Sequence, residues 1–525
     1  MVTSEKLMGE FTRAKTRRTQ WEDLWEEIYE LMLPMQEGFF NKDQAEENME
    51  LIYDETAVVA IQRFASRLQS GLTPNFSSWF KLIPGTEVPP NQMRDLQAQL
   101  DTITKYLFEV IHNSNFAQGT VESYLDLAVG TGNLLVQEDT LGDRLITFDA
   151  VSQPKVYVLP GPGGTIDRIF RVHSLDHIRE AKQLWPKATF SDSLTKKMEQ
   201  QEKAEAEVVE SVMRDWSKKG EETWDYNVLV KNDKEMIFED VFKGEGSNPW
   251  INFRWSNRPG EVYGRGPAIL ALPATRVANL VTKLTMENAD IQIGGMWQVD
   301  DDGTVNVDTI EIASGTIIPR TPGTGGLESI SPGGRIEFGD LLLSRTQEHI
   351  RDIFYSENLG SLDKTPISAT EASIRTNSLA EVMGSSFGRL QYEFVVPLVK
   401  RIIFLLKKQG RIEIPRVNGR EVGIIATSPL ARGMKIENVQ NITNFYGTLA
   451  QLIGPQQAQM YVKTDKMVAQ LSGNFDVPAE LMTTEAERIT AAQQLGNAAG
   501  QAEAAQEGGG AQVIDLATKL GGGGG

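Results

Sequence analysis

The chain has 525 residues, 40% hydrophobic and 23% charged, enough to bury sizeable cores in about three or four structural units. A formal net charge of −19 and a pI near 4.9 argue against non-specific binding to nucleic acid or to an anionic membrane. There is no cysteine, which excludes disulfides and thiolate metal sites and fits folding in a reducing compartment. The start, MVTSEKLMGEFTRAKTRR, is charged throughout, and no run approaches the roughly 20 apolar residues of a membrane span, so a soluble, unexported chain is expected.

A helix is predicted over residues 4–33, with Trp21, Leu24, Trp25, Ile28, Leu31 and Met32 on its apolar stripe and Pro34 as its stop. Its basic run from Arg13 to Arg18 reads as a solvated face. Further helices are expected over 53–70, 91–114 and 119–129, with an aromatic, Pro-containing turn, GLTPNFSSWFKLIPG, after the first of these. From Asn133 to Val172 the pattern changes to short β-rich runs, LLVQED, RLITFD and KVYVLP, with a hairpin-like GPGGT at 161–165. A helical segment over 175–184 and a densely charged helix over 193–217 follow. TWDYNVLV and MIFEDVF, around the turn KNDKE, read as a hairpin. Residues 133–257 are thus expected to form a mixed α/β unit.

GEVYGRGP leads into a helix over 267–292, with Val277, Leu280, Leu284 and Ile291 on one side and Arg276, Lys283, Glu287 and Asp290 elsewhere. Residues 293–337 are rich in glycine, β-branched residues and acids, and a helix over 338–357 returns with Leu342, Ile350 and Ile353. Helix, small β-rich knob, helix is the pattern of a stalk with a tip. Around that tip nine acids (Asp290, Asp300, Asp301, Asp302, Asp308, Glu311, Glu328, Glu337 and Asp340) stand against Arg320 and Arg335, a local balance of about −7.

The longest helical pattern runs from Thr365 to Gly410. Ser368 and Glu371 open it as a capping box, and Ile374, Leu379, Val382, Phe387, Leu390, Phe394, Leu398 and Ile402 return to one face. At 1.5 Å per residue it would be on the order of 60 Å long. Gly384, Gly388 and Pro397 predict bends. Lys400, Arg401, Lys407, Lys408 and Arg411, toward its end, are read as favouring the helix C-terminal dipole.

Enzymatic readings fail on missing partners. GSSFG at 384–388 spells G-x-S-x-G, but the elbow needs a strand before it and a histidine after it, and the last histidine is His349. Ser361 to Lys364 spells S-x-x-K without its companion motifs, and there is no G-x-x-x-x-G-K-[ST] phosphate loop. His173 and His177 could share a helix face but lack a third ligand, and DDDG at 300–303 is out of register with a calcium loop and reads as a hairpin tip. No catalytic residue, metal site or cofactor is expected.

YGRGP at 263–267, the long pattern ISATEASIRTNSLAEVMGSSFGRLQYEFVVPLVKRIIFLLKKQG at 367–410, SPLARGMKIENVQNITNFYGTLAQL at 428–452 and WEDLWEEIYELMLP near the N-terminus together resemble the head-to-tail connector, or portal, family of short-tailed bacteriophages. The resemblance covers about residues 1–480. It implies an α+β, predominantly α-helical portal fold: wing 1–260, first stem helix 261–292, clip 293–337, second stem helix 338–357, channel loop 358–366, kinked spine 367–410, crown-side segment 411–480 and a low-complexity C-terminal crown or tail 481–525. It further implies a homo-oligomeric ring, usually of twelve, at one capsid vertex of the virion, assembled in the host bacterial cytoplasm. Double-stranded DNA would pass through it without sequence specificity, and terminase, a tail adaptor and the major capsid and scaffolding proteins would be its partners.

By the same resemblance Asn358, Leu359, Gly360, Ser361, Leu362, Asp363 and Lys364 would face the channel, while Asp300, Asp301, Asp302, Asp308, Glu311, Arg320 and Arg335 would dock partners at the clip. An acidic lining suits DNA that must slide, because each neutralised phosphate adds a counterion-release gain that grips it. Another virion structural protein, such as a tail adaptor, is the alternative reading.

Overall fold

The computed structural model describes residues 3–36, 38–39, 49–85, 90–139, 142–175, 178–192, 194–196, 206–218, 220–294, 296–300, 317–320, 328–330, 336–356, 384–414, 423–474 and 490. The chain divides into two units, residues 1–434 and 435–525.

The first unit opens with α1 (Ser4–Met32), whose N-cap Thr3 accepts a hydrogen bond from the Lys6 amide. Its first turns lie on one face of a five-stranded antiparallel meander made of β4 (Val156–Pro160), β5 (Ile166–Leu175), β6 (Ala206–Arg214), β7 (Thr223–Val230) and β8 (Glu235–Lys243). Leu7, Phe11 and Ala14 pack there against Tyr157, Leu159, Phe170, Val209, Met213 and Leu229. Alternate residues of the same strands, Val208, Val212, Val228 and Val230, point the other way and join the main core.

Arg18, predicted to be solvated, is instead buried where α1 meets this sheet. Its guanidinium lies 3.5 Å from the centre of the Tyr157 ring, pairs with Glu22 at 2.7 Å and donates to the carbonyls of Pro154 and Val156 at 2.5 and 3.2 Å. A guanidinium can be buried here because carbonyls, a carboxylate and a ring face replace its water.

Of the charged helix expected over 193–217, residues 206–214 are instead the central strand β6, between β5 and β7, and 197–205 lie outside the described residues. Valines and a methionine face both ways from it, and the one buried acid, Glu210, accepts a hydrogen bond from the Tyr226 hydroxyl at 2.9 Å. Pairing on both edges and burial on both faces outweigh the helical propensity of the Glu, Lys and Gln run that precedes the strand. His173 is likewise in a strand, β5, not on a helix, and His177 lies outside the described residues. Burial, together with Arg171 and Lys155 nearby, pushes the His173 imidazole down to about 4, so it is neutral at pH 7 and its 3.9 Å approach to Glu210 is no ion pair.

The main core is built on α2 (Thr56–Leu72), α3 (Pro90–His112), α4 (Phe116–Val129) and the three-stranded sheet β3–β2–β9, formed by Ile146–Ala150, Thr131–Glu138 and Trp250–Arg254. The aromatic segment read as a turn contains a strand, β1 (Phe80–Ile83), paired antiparallel with β13 (Gly423–Ala426) over 340 positions away in sequence; Trp79 stacks on Phe116 with ring centres 5.6 Å apart. At the core's centre Asp126 accepts hydrogen bonds from the Tyr29 hydroxyl (2.7 Å) and the Gln153 amide (3.0 Å), and burial raises its carboxyl to about 7.

The YGRGP motif serves this packing. A Cβ on Gly264 would stand 2.1 Å from the Gly130 carbonyl oxygen, and one on Gly266 2.0 Å from that of Ala128, so two stretches of backbone pass too closely for any side chain. This contact fixes where the next helix, α6 (Pro267–Gly294), leaves the core.

The helix expected over 175–184 is α5 (Ile178–Leu184). After α6 come β10 (Met296–Asp300), β11 (Ile317–Arg320) and β12 (Glu328–Ile330), then α7 (Ile336–Ile353). β10 lies between the other two, parallel to β11 and antiparallel to β12, and the DDDG segment expected as a hairpin tip lies, beyond Asp300, outside the described residues. The spine is described from Gly384 as α8 (Gly384–Leu390), a π-helical turn (Gln391–Val395) and α9 (Val396–Lys408). α10 (Pro429–Ile453) crosses the boundary between the units, and the second contains α11 (Pro455–Tyr461) and α12 (Thr464–Asn474). No described helix is long and apolar enough to cross a membrane.

Candidate functional site

In sequence the helices α6 and α7 lie on either side of β10, β11 and β12. The two run antiparallel: a Cβ on Gly339, near the start of α7, would lie 3.6 Å from Thr285 Oγ1, toward the end of α6. At mid-length Asn279 accepts from the Tyr53 amide (2.6 Å), and Gln347 donates to Asp54 (2.6 Å), so one loop before α2 ties both helices to the core.

The core-facing side of α6 is made of small or short residues, Ala268, Ala271, Leu272, Thr275 and Ala278, all buried. The side predicted from its larger residues as the apolar face is the exposed one. Leu270 is 72% exposed, Val277 42%, Leu280 56% and Leu284 53%, with Ile291 half-buried. The cause is steric: Ala268, Ala271 and Ala278 let α6 approach the core closely, which leaves Leu270, Val277, Leu280 and Leu284 on the opposite side. Leu270, Val277, Leu284 and Ile291 recur every seven residues, with Leu280 and Val281 between, which is the spacing of a helix seam that packs on another helix. An apolar stripe this long on water marks a contact surface.

The spine's predicted stripe is buried where described: Phe387, Leu390, Phe394, Leu398 and Ile402 all lie in the core, with Phe394 between Tyr124 and Phe253. Ile374, Leu379 and Val382 lie outside the described residues. Near Pro397, where a bend is expected, the helix carries a π turn at 391–395 that ends just ahead of the proline. Widening the turn there accommodates a ring that would otherwise meet the carbonyl four residues back.

The π turn also presents Glu393 to two arginines. Arg254, on β9, reaches it with Nη2–Oε1 at 2.7 Å and Nε–Oε2 at 3.1 Å, Arg389 at 3.0 Å. Arg401, grouped in the sequence with the terminal lysines, is buried and donates to the carbonyls of Val136 (3.0 Å) and Ser247 (2.8 Å), so it pins the spine to β2 and the β8–β9 loop; burial lowers its guanidinium to about 9. Only Lys407 and Lys408 of that cluster lie in the helix's last turn. GSSFG is entirely helical, at the start of α8, and so cannot form a strand-to-helix elbow.

Of the residues assigned to docking, Asp300 and Arg320 fall at register-paired ends of β10 and β11. Asp301, Asp302, Asp308, Glu311 and Arg335 lie outside the described residues, as do the whole channel loop, Asn358 to Lys364, and Ser361 to Lys364 within it. Among the described residues no group of acidic and histidine side chains could hold a metal ion.

A family model described as bacteriophage head to tail connecting protein matches residues 4–482. The chain belongs to this family. It is 21% identical over 477 residues to the probable portal protein of Bordetella phage BPP-1, which spans 85% of this chain and 83% of that protein. It is 27% identical over 178 residues to the portal protein of Salmonella phage epsilon15, covering 33% and 31%. Among solved structures, a chain from the neck of an empty gene transfer agent particle aligns with 79% of this chain and 93% of its own length, at 11% identity and a TM-score of 0.35. The described residues are predominantly helical with mixed sheets, as read from the sequence, and the head-to-tail role read there is the one the family's description names.

What the sequence reading missed is the direction of α6. The seven-residue recurrence was present in the sequence, and so were the alanines at 268, 271, 274 and 278 on the other side; the alanines are the signal that the helix approaches its own core closely there.

Proposed function

We propose that this chain is the portal subunit of a phage virion: identical copies close into a ring, of twelve by the family's pattern, at one capsid vertex, and double-stranded DNA passes through the central channel during packaging and ejection. The observation that carries the reading is the exposed seven-residue stripe of α6, held on a two-helix stem rooted in a well-packed core. One such surface meeting a different surface on the next copy is a heterologous contact, and repeated by rotation it closes a ring.

In this reading residues 1–260 are the wing, 261–292 and 338–357 the stem helices, 293–337 the clip that docks terminase and then the tail, 367–410 the spine, and 411–480 with the C-terminal segment the crown side. Asn358 to Lys364 is the loop nearest the axis. Major capsid and scaffolding proteins surround the wing, and assembly takes place in the host cytoplasm. The role is structural, with no catalytic residue. Native mass spectrometry of the purified chain tests it: a single assembly of many 58.2 kDa subunits is expected, and a monomer at micromolar concentration refutes it. Deleting 358–366 should leave the assembly mass unchanged while DNA packaging falls; loss of assembly would make that loop structural instead.

A further inference from the structure

A second surface, with none of its lining on α6 or α7, carries a chemistry of its own. A cleft of about 390 Å³ lies between the outer side of α9 and the β1–β13 ribbon. Its apolar floor is Leu82, Ile403, Phe404, Ile414 and Ile424, with Leu82 and Ile424 directly opposite each other in the ribbon and so on one face of it. Four lysines border this floor, Lys243, Lys400, Lys407 and Lys408, against one acid, Glu245, which pairs with Lys400.

In a chain of net charge −19 a local lysine excess around an apolar floor is against the overall trend. The helix dipole accounts for Lys407 and Lys408 in the last turn of α9, but not for Lys243, which comes from the end of β8, nor for Lys400, two turns earlier. Lys243 and Lys407 have no acidic partner among the described residues, and Lys408 meets Glu138 only at 3.4 Å.

We infer that this cleft is a docking site for an acidic peptide segment of another protein, one that places aliphatic side chains on the floor and carboxylates among the lysines. Two features select that occupant. The floor is aliphatic and aromatic, which a phosphate backbone does not fill. The lysines without an acidic partner among the described residues come from two elements, Lys243 from the end of β8 and Lys407 from the last turn of α9, an arrangement that suits successive carboxylates better than one headgroup. The inference is independent of ring formation, because the residues that line the cleft all belong to one copy.

Fluorescence anisotropy on the purified full chain, with a fluorescein-labelled peptide of repeated Glu-Glu-Leu-Leu units as probe, tests it. Saturable binding is expected, weakened about tenfold or more by Lys243→Glu with Lys407→Glu, both exposed positions that leave the fold intact, and equally by replacing the probe's leucines with serine. Ile403→Gln, on the floor, should weaken the probe without changing its salt dependence. The proposal is overturned by absence of binding, or by binding that the double charge reversal leaves unchanged. Duplex DNA binding in place of the peptide, with the same lysine dependence, assigns the cleft to phosphate and overturns it. So does dodecanoate binding without peptide binding, which assigns it to a single anionic headgroup. A change in assembly mass on the double reversal, without peptide binding, makes the cleft a contact between copies and likewise overturns it.

Discussion

Removing the carboxylate of Glu393 should cost more than any surface ion pair. The guanidinium of Arg254 is 5% exposed and the Glu393 side chain 14%, and the two meet in a bidentate pair. Glu393→Ala leaves Arg254 buried beside carbonyls of Val262 and Gly164, which still accept from it but carry no charge. Breaking one side of a buried pair costs about 3–5 kcal/mol, and with two acceptors retained the lower end, about 3 kcal/mol, is expected. At roughly 2.1 cal/mol/K per residue, a unit of 434 residues unfolds with an entropy near 0.9 kcal/mol/K, so calorimetry should show the transition lowered by about 3 °C. The double variant Arg254→Met, Glu393→Leu, which removes both charges, should recover most of that loss. A Glu393→Ala transition within half a degree of the parent would show that the pair does not hold the spine to β9. An equal loss in the double variant would assign the effect to packing.

Further outcomes follow from other sites. Asp126 has its folded pKa raised to about 7, above the unfolded 3.8, so its contribution is fully present below about pH 4 and is lost as pH rises from there through the folded pKa; Asp126→Asn should stabilise at pH 8 and have little effect at pH 4 in denaturant titrations, and a gain independent of pH would contradict the burial of that charge. Gly266→Ala should abolish soluble expression, because its Cβ would overlap the Ala128 carbonyl; a normally folded variant on circular dichroism would mean that the backbone contact is slack. Leu280→Glu with Leu284→Glu should leave the monomer's circular dichroism unchanged while lowering the assembly mass to 58.2 kDa; unchanged assembly would remove the stripe from the interface.

Where sequence pattern and packing agree, the chain was legible. The spine's stripe from Phe387 to Ile402 is one apolar face with no rival, and it is buried as its period requires. The β7–β8 hairpin alternates, and it pairs as read. The failures have a common origin in non-local contact. β6 sits beside a run rich in helix formers, and only its neighbours β5 and β7, each paired along its length, make it a strand. α6 has two apolar sides, and hydrophobicity favours the bulkier one, whereas close packing favours the alanines. Arg18 and Arg401 read as surface charges because a sequence does not display the carbonyls that surround them. The pairing of β1 with β13 is settled by a loop closure over most of the chain, which no local window contains.

Cryo-electron microscopy of the purified full-length chain tests the central claim most directly. A closed ring is predicted, with Leu270, Val277, Leu280 and Leu284 of each copy shielded from solvent by the neighbouring one. A monomer, or a ring in which that stripe still faces water, would contradict it.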